Sequence, residues 1–166
     1  MLNDLTQAEL VRLLNYDPET GVFRWIARRF GVTVGSVAGS IDLKHRYLRI
    51  HINGRLYLGH RLAWLYVHGE WPACEIDHRD RDRSNNRLSN LRCATRSENQ
   101  QNKPVYRNNA TGAKGVHWHL QHRKYVAVIQ FRGKRHHLGL FRTVEEASAA
   151  YQSASKQLHG QFSCAA

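Results

Sequence analysis

At 166 residues, 42% hydrophobic and net charge +12, the chain has material for one ordinary domain or two small, modestly stable ones, and its charge points to a polyanionic partner, DNA or RNA. The three isolated cysteines, Cys74, Cys93 and Cys164, include no Cys-x-x-Cys pair, which argues against a cysteine zinc site and a disulfide framework, fits a reducing cytoplasm, and leaves Cys93 as a small buried apolar residue. No basic-then-apolar leader opens the sequence and no run of about twenty apolar residues interrupts it, so neither a signal peptide nor a membrane span is expected.

In chain order, Thr6-Gln7-Ala8-Glu9 fits a capping box, and Leu10, Leu13 and Leu14 form the helical stripe behind it. Tyr16 to Gly21 reads as a turn and Val22 to Trp25 as a short strand. Gly31 to Ser40 reads as a loop. Tyr47 to Ile52 alternates, Asn53-Gly54 supplies a type I′ turn, and Arg55 to Leu58 returns as a hairpin. His60 to Val67 follows as a helix ended by Gly69 and Pro72, with Leu62, Leu65 and Tyr66 packing on the hairpin.

Residues 73–102 concentrate the chemistry. Glu75 to His78 reads as a strand, a polar loop follows, and Leu91 to Ala94 returns as a second strand. A helix begins at Thr95 or Ser97 and runs to Asn102, with Ser97 as its cap. Cutting a phosphodiester with water requires a proton acceptor, neutralisation of the departing oxygen, and alignment. His78 titrates near neutrality and can take the proton. The Asp77 carboxylate and the Asn99 carbonyl can bind a hard divalent cation, Mg²⁺ or Mn²⁺, with water and phosphate completing its shell. Neighbouring strand residues point to opposite faces, so Asp77 and His78 serve one centre only if the strand ends there and the chain turns. Asp80 and Asp82 lie among Arg79, Arg81 and Arg83 and read as a solvated, self-compensating charge run. His60 is left open between capping, packing and touching phosphate.

Asn90 follows His78 by twelve residues, and Asn99 follows Asp77 by twenty-two. With His60-Arg61-Leu62-Ala63-Trp64, Ile76-Asp77-His78, Asn86 to Leu91 and Ser97-Glu98-Asn99, this spacing resembles the HNH endonucleases of the phage homing type, in the variant whose last His is Asn. The resemblance covers roughly residues 1–102 and is sharpest over 60–102. It implies a ββα-metal fold, Asp77 and Asn99 on the metal, His78 as general base, and Asn90 as the loop clamp that orients the His78 ring.

Lys103-Pro104 to Gly112 reads as a linker. Three strands follow, Gly115–Leu120, Tyr125–Phe131 and His136–Leu140, with Arg132-Gly133-Lys134 turning between the last two. Thr143 caps a final helix over Val144–Leu158 that presents Ala147, Ala150, Tyr151 and Ala154 and ends at Gly160. Between Asn99 and Val144 there are nine Lys or Arg, five His and no acidic residue, as expected of a phosphate-facing surface. Gly115-Val116-His117-Trp118-His119, Lys124 to Ile129, Lys134 to Phe141, Glu145-Glu146-Ala147 and Ala149-Ala150-Tyr151 resemble an AP2 domain over about residues 112–160. That resemblance implies a three-stranded antiparallel sheet on one helix, laid in the DNA major groove. Lys114, His117, His119, Gln130, Arg135 and His137 then face DNA, while Val116, Tyr125, Ala127, Ile129 and Leu138 face the helix, and Trp118 belongs to the core. His and Gln stand where that family carries Arg or Trp, which leaves the target sequence open.

The expectation is an α+β chain: an N-terminal region 1–102 with its nuclease core at 60–102, a linker 103–111, and a DNA-binding module 112–166. It is expected to cut double-stranded DNA as a monomer or a homodimer, in the host cytoplasm if phage-encoded. The rivals are a non-catalytic DNA-binding regulator with a vestigial nuclease module and, less well supported, an RNA-binding module. The intact Asp77, His78, Asn90 and Asn99 set argues against a vestigial module.

Overall fold

A computed structural model describes residues 5–102, 105 and 109–163. Lys103, Arg107 and most of the expected linker, together with Cys164, lie outside the described residues. The chain divides into two compact units, residues 1–95 and 96–166. The division falls between the second site strand and the helix that follows it, so the helix carrying Asn99 belongs to the second unit.

In the first unit, helix α1 (Gln7–Leu13) opens with the expected capping box, Thr6 and Glu9 each satisfying the other's backbone amide. The helix stops one residue early: Leu14 begins strand β1 (Leu14–Asp17), which pairs antiparallel with β2 (Val22–Trp25). The turn expected over Tyr16 to Gly21 therefore narrows to residues 18–21. Leu14 and Tyr16 alternate inward and are buried, so the period-2 demand of the core overrode the helical stripe. A short strand β3 (Ser40–Ile41) pairs with β4 (Leu48–Ile52), which pairs with β5 (Arg55–Leu58). Asn53 and Gly54 both take positive φ, as the type I′ turn requires. Helix α2 (Gly59–His68) ends at Gly69 in the left-handed region. Leu10, Leu14, Phe23, Ile50, Ile52, Leu62 and Leu65 form the centre of one core.

Strands β6 (Glu75–His78) and β7 (Leu91–Ala94) pair antiparallel, Asp77 opposite Arg92 and His78 opposite Leu91. This register overturns the cysteine expectation. Cys93 is exposed, not buried, and forms a disulfide with Cys74, their Cα atoms 5.7 Å apart. Spacing alone misses such a cross-strand neighbour, because the antiparallel register supplies it.

The first hairpin braces the loop between β6 and β7. The Tyr16 hydroxyl donates to the Asn86 carbonyl at 2.7 Å, and the Leu88 amide donates to the Pro18 carbonyl at 3.0 Å. Gly21 sits at φ +75°, where an added Cβ would lie 2.6 Å from the Arg87 nitrogen. Only glycine allows that approach.

In the second unit, helix α3 (Arg96–Gln101) contains Ser97 as an interior residue, not as the expected cap. Strands β8 (Val116–His119), β9 (Lys124–Phe131) and β10 (Lys134–Phe141) form an antiparallel sheet with β9 central. Helix α4 (Val144–His159) starts with a Thr143–Glu146 capping box and packs across β9 and β10. Its buried face is Ala147, Tyr151, Ser155 and His159, so two polar residues continue a stripe that alanines were expected to complete. Gly115, at φ +70°, approaches the Tyr151 ring too closely for any side chain. Trp118 is not core: it is 43% exposed and packs edge-on against Tyr125.

Candidate active site

His78 ends β6 and is only 4% exposed, while Asp77 beside it is equally hidden. The strand stops at His78, and the Arg81 amide bonds back to its carbonyl, so the chain turns there. Three groups wall the His78 ring. His60, from the first turn of α2, meets it edge-to-face with ring centres 5.1 Å apart. Tyr47 packs on both rings, at 5.1 Å from His60 and 6.2 Å from His78. Asn86, only 1% exposed, accepts from His78 Nε2 at 3.4 Å, and its own amide is set by donating to the Ser84 carbonyl at 3.0 Å. Burial holds the His78 pKa below the usual imidazole value, against the opposing pull of Asn86 and of Asp80 and Asp77. The ring is thus kept neutral and able to accept a proton at physiological pH.

Asp77 Oδ2 accepts from Arg92 Nε at 2.8 Å and from Nη2 at 2.6 Å, both side chains being buried. Both donors converge on that one oxygen, a charge-assisted pair that anchors the carboxylate against β7. Arg92 is a site residue that motif spacing did not single out.

Asn90 acts on the loop. Its Oδ1 accepts from the Asp80 amide at 3.0 Å, and its Nδ2 donates to Asp80 Oδ1 and to the Asn85 carbonyl, each at 2.9 Å. Its carbonyl takes the Arg79 amide at 2.9 Å. Asn86 is the amide that meets the His78 ring, while Asn90 shapes the turn on which that ring depends. Asp80 and Asp82 are not a loose charge run. Burial alone would raise the Asp80 carboxyl, but hydrogen bonds from Asn85, Asn90 and the Asp82 amide outweigh it and hold the pKa low. Asp82 is held low by the Ser84 hydroxyl and amide.

His60 resolves to packing. It is 6% exposed with Nδ1 buried and without a partner. Burial first, then His78 and Arg61, lowers its pKa to about 3. The folded state therefore refuses a proton that the unfolded chain accepts near pH 6.5. Stability is complete above that pH and falls as pH drops from 6.5 towards 3, by about 1.4 kcal/mol per unit for one proton. Urea denaturation at pH 7 and pH 5 is expected to show a steeper loss for the native chain than for His60→Phe. Equal losses would contradict this account of the buried ring.

In the second unit the pairing fixes which residues share a face. Val126 stands opposite His117 and Leu140, Val128 opposite His137, Gln130 opposite Arg135, and Lys124 opposite His119. This face lies away from α4. Its concavity of about 530 Å³ gathers His117, His119, His122, Val126, Val128, Arg135, His137 and Leu140. Lys114 stands elsewhere: its Nζ donates to the Gln101 carbonyl at 2.5 Å, and it lines a separate cavity of about 450 Å³ with Arg96, Gln130 and His159. Burial and Lys114 lower the pKa of that His159.

The HNH endonuclease family matches residues 57–101, the span that holds Asp77, His78, Asn90 and Asn99. Protein 3.8 of Escherichia phage T7 is 31% identical over 104 residues, covering 62% of this chain and 85% of the T7 protein. An uncharacterized HNH endonuclease, L560 of Acanthamoeba polyphaga mimivirus, is 31% identical over 146 residues, covering 87% of this chain and 67% of that protein. A solved structure described as DNA binding and cleavage by the HNH homing endonuclease I-HmuI aligns with 89% of this chain and 85% of its own, at TM-score 0.43 and 19% identity. With its buried Asp-His pair inside the matched span and two relatives similar along most of their length, the chain belongs to the HNH endonuclease family.

Proposed function

We propose that the protein is a metal-dependent endonuclease of double-stranded DNA in which His78 is the general base. The observation that carries this reading is the His78 ring itself, buried, neutral and walled by Tyr47, His60 and Asn86 at the end of β6, next to a carboxylate aligned by Arg92. His78 takes a proton from the attacking water, and Asn90 keeps the loop that sets the ring's position.

Asp77 and Asn99 are the residues to hold the cation. Their oxygen donors suit Mg²⁺ or Mn²⁺, which need only one or two protein ligands and fill the rest of the shell with water and phosphate. The donor chemistry therefore fits, although no group of three His, Cys, Asp or Glu gathers among the described residues. When bound, the cation would neutralise charge on the scissile phosphate and the departing 3′ oxygen. Asn99→Ala is expected to raise the Mg²⁺ concentration for half-maximal cleavage by tenfold or more, on the scale of about 1.4 kcal/mol per decade. Its DNA affinity in chelator should be unchanged. An unaltered Mg²⁺ requirement would remove Asn99 from the metal.

The second unit supplies the docking surface. We read it as an AP2-like module, supported by its antiparallel sheet on one helix and by the one-signed charge between Asn99 and Val144. His117, His119, Gln130, Arg135 and His137 are its candidates for the groove, and Lys114 for the phosphate backbone. Each active site cuts one strand, so a monomer nicks and a homodimer can break both. The viral relatives suit a phage-encoded enzyme acting in the host cytoplasm, and no described helix is long and apolar enough to cross a membrane.

A further inference from the structure

The open face of the second unit's sheet has an apolar middle that phosphate binding does not explain. Val126 forms its floor, Val128 is half-buried above it, and Leu140 is 39% exposed. Around these stand His117, His119, His122, His137 and Arg135, and the lining of the concavity contains no carboxylate. Arg135 brings positive charge and the imidazoles bring hydrogen-bond donors, a lining that complements DNA, and the aliphatic strip lies where a groove floor would meet it. Among the four unmodified bases, only thymine offers an apolar group in the major groove, its C5 methyl.

We propose that Val128 and Leu140 form a thymine-methyl reader, so that the enzyme's preferred sites carry thymine beneath the centre of this sheet. The inference rests on the reading of the sheet as the DNA-docking surface. Burying one methyl on an apolar side chain changes affinity about fourfold, so two contacts give on the order of tenfold.

The test compares binding of the full chain, in chelator, to alternating poly(dA-dT) and alternating poly(dA-dU) duplexes, which differ only in that methyl. The uracil duplex is expected to bind about four- to tenfold more weakly. Val128→Thr (close in shape and polar) or Leu140→Ala alone should lower the preference to about fourfold, and the two combined should bind the duplexes alike, all with the native salt dependence. A charge-reversal variant, with Lys124 and Arg135 changed to Glu, separates the docking surface from the methyl reader. If charge reversal abolishes binding but native protein ignores the methyl, the methyl reader is wrong and the docking surface stands. If charge reversal leaves affinity and salt dependence unchanged, the sheet does not dock DNA and both readings fall.

Discussion

His78→Ala is expected to lower the cleavage rate by roughly 10² to 10⁴, the usual contribution of a positioned general base, without weakening DNA binding. His78 belongs to the first unit, whereas docking is assigned to the sheet of the second, so the loss should fall on the rate at saturating DNA and not on affinity. Single-turnover cleavage alongside binding in chelator separates the two. A variant that cuts at the native rate would remove His78 from the chemistry. A variant that fails to bind would mean the ring supports the fold more than the reaction. Tyr47, His60 and Asn86 make a cavity around the truncated side chain, so a thermal melt belongs beside the assay. His78→Gln, which fills more of that space, should be equally slow if the lost proton acceptor is the cause.

The second large effect is on stability. Arg92→Met leaves the buried Asp77 carboxylate without the two charged donors that Arg92 supplies. Breaking one side of a buried pair costs about 3–5 kcal/mol, which in a unit of this size corresponds to a fall in Tm of more than about 10 °C. Removing both charges together, as Asp77→Leu with Arg92→Met, should recover much of that stability, since an apolar pair of similar volume is often tolerated. Cleavage should be lost in the double variant all the same. An Arg92→Met protein that melts like the native chain would contradict the pairing on which the orientation of Asp77 depends.

The parts of this fold that could be read from the chain are those whose signals are local. The Asn53-Gly54 turn, the two capping boxes, and the basic run with its three alternating strands carry their causes within a few residues. The Asp77-His78 pair at a strand end is of the same kind. What escaped was set by register. Both strands of the site hairpin were foreseen, yet only their pairing places Arg92 opposite Asp77 and Cys93 near Cys74. Aligning the two foreseen strands symmetrically about their loop would have exposed both partnerships. Asn86 escaped for a different reason. Its side chain is fixed by Ser84 within the loop, and its carbonyl by Tyr16 from a strand seventy residues earlier. No short motif encodes that contact. A helical stripe claims Leu14 one residue too far and the turn claims Tyr16 two residues too early, and the core, by accepting both as strand residues, decides otherwise.

The central claim is hydrolysis of duplex DNA at a cation-assisted histidine. Its most direct test is incubation of the full chain with supercoiled plasmid and with phage genomic DNA, in Mg²⁺ or Mn²⁺ and in chelator. The account predicts relaxed or linear product that requires the cation and vanishes in chelator, with the product form distinguishing nicking from a double-strand cut. Product that forms equally in chelator, or intact DNA in every condition despite salt-sensitive binding, would contradict it.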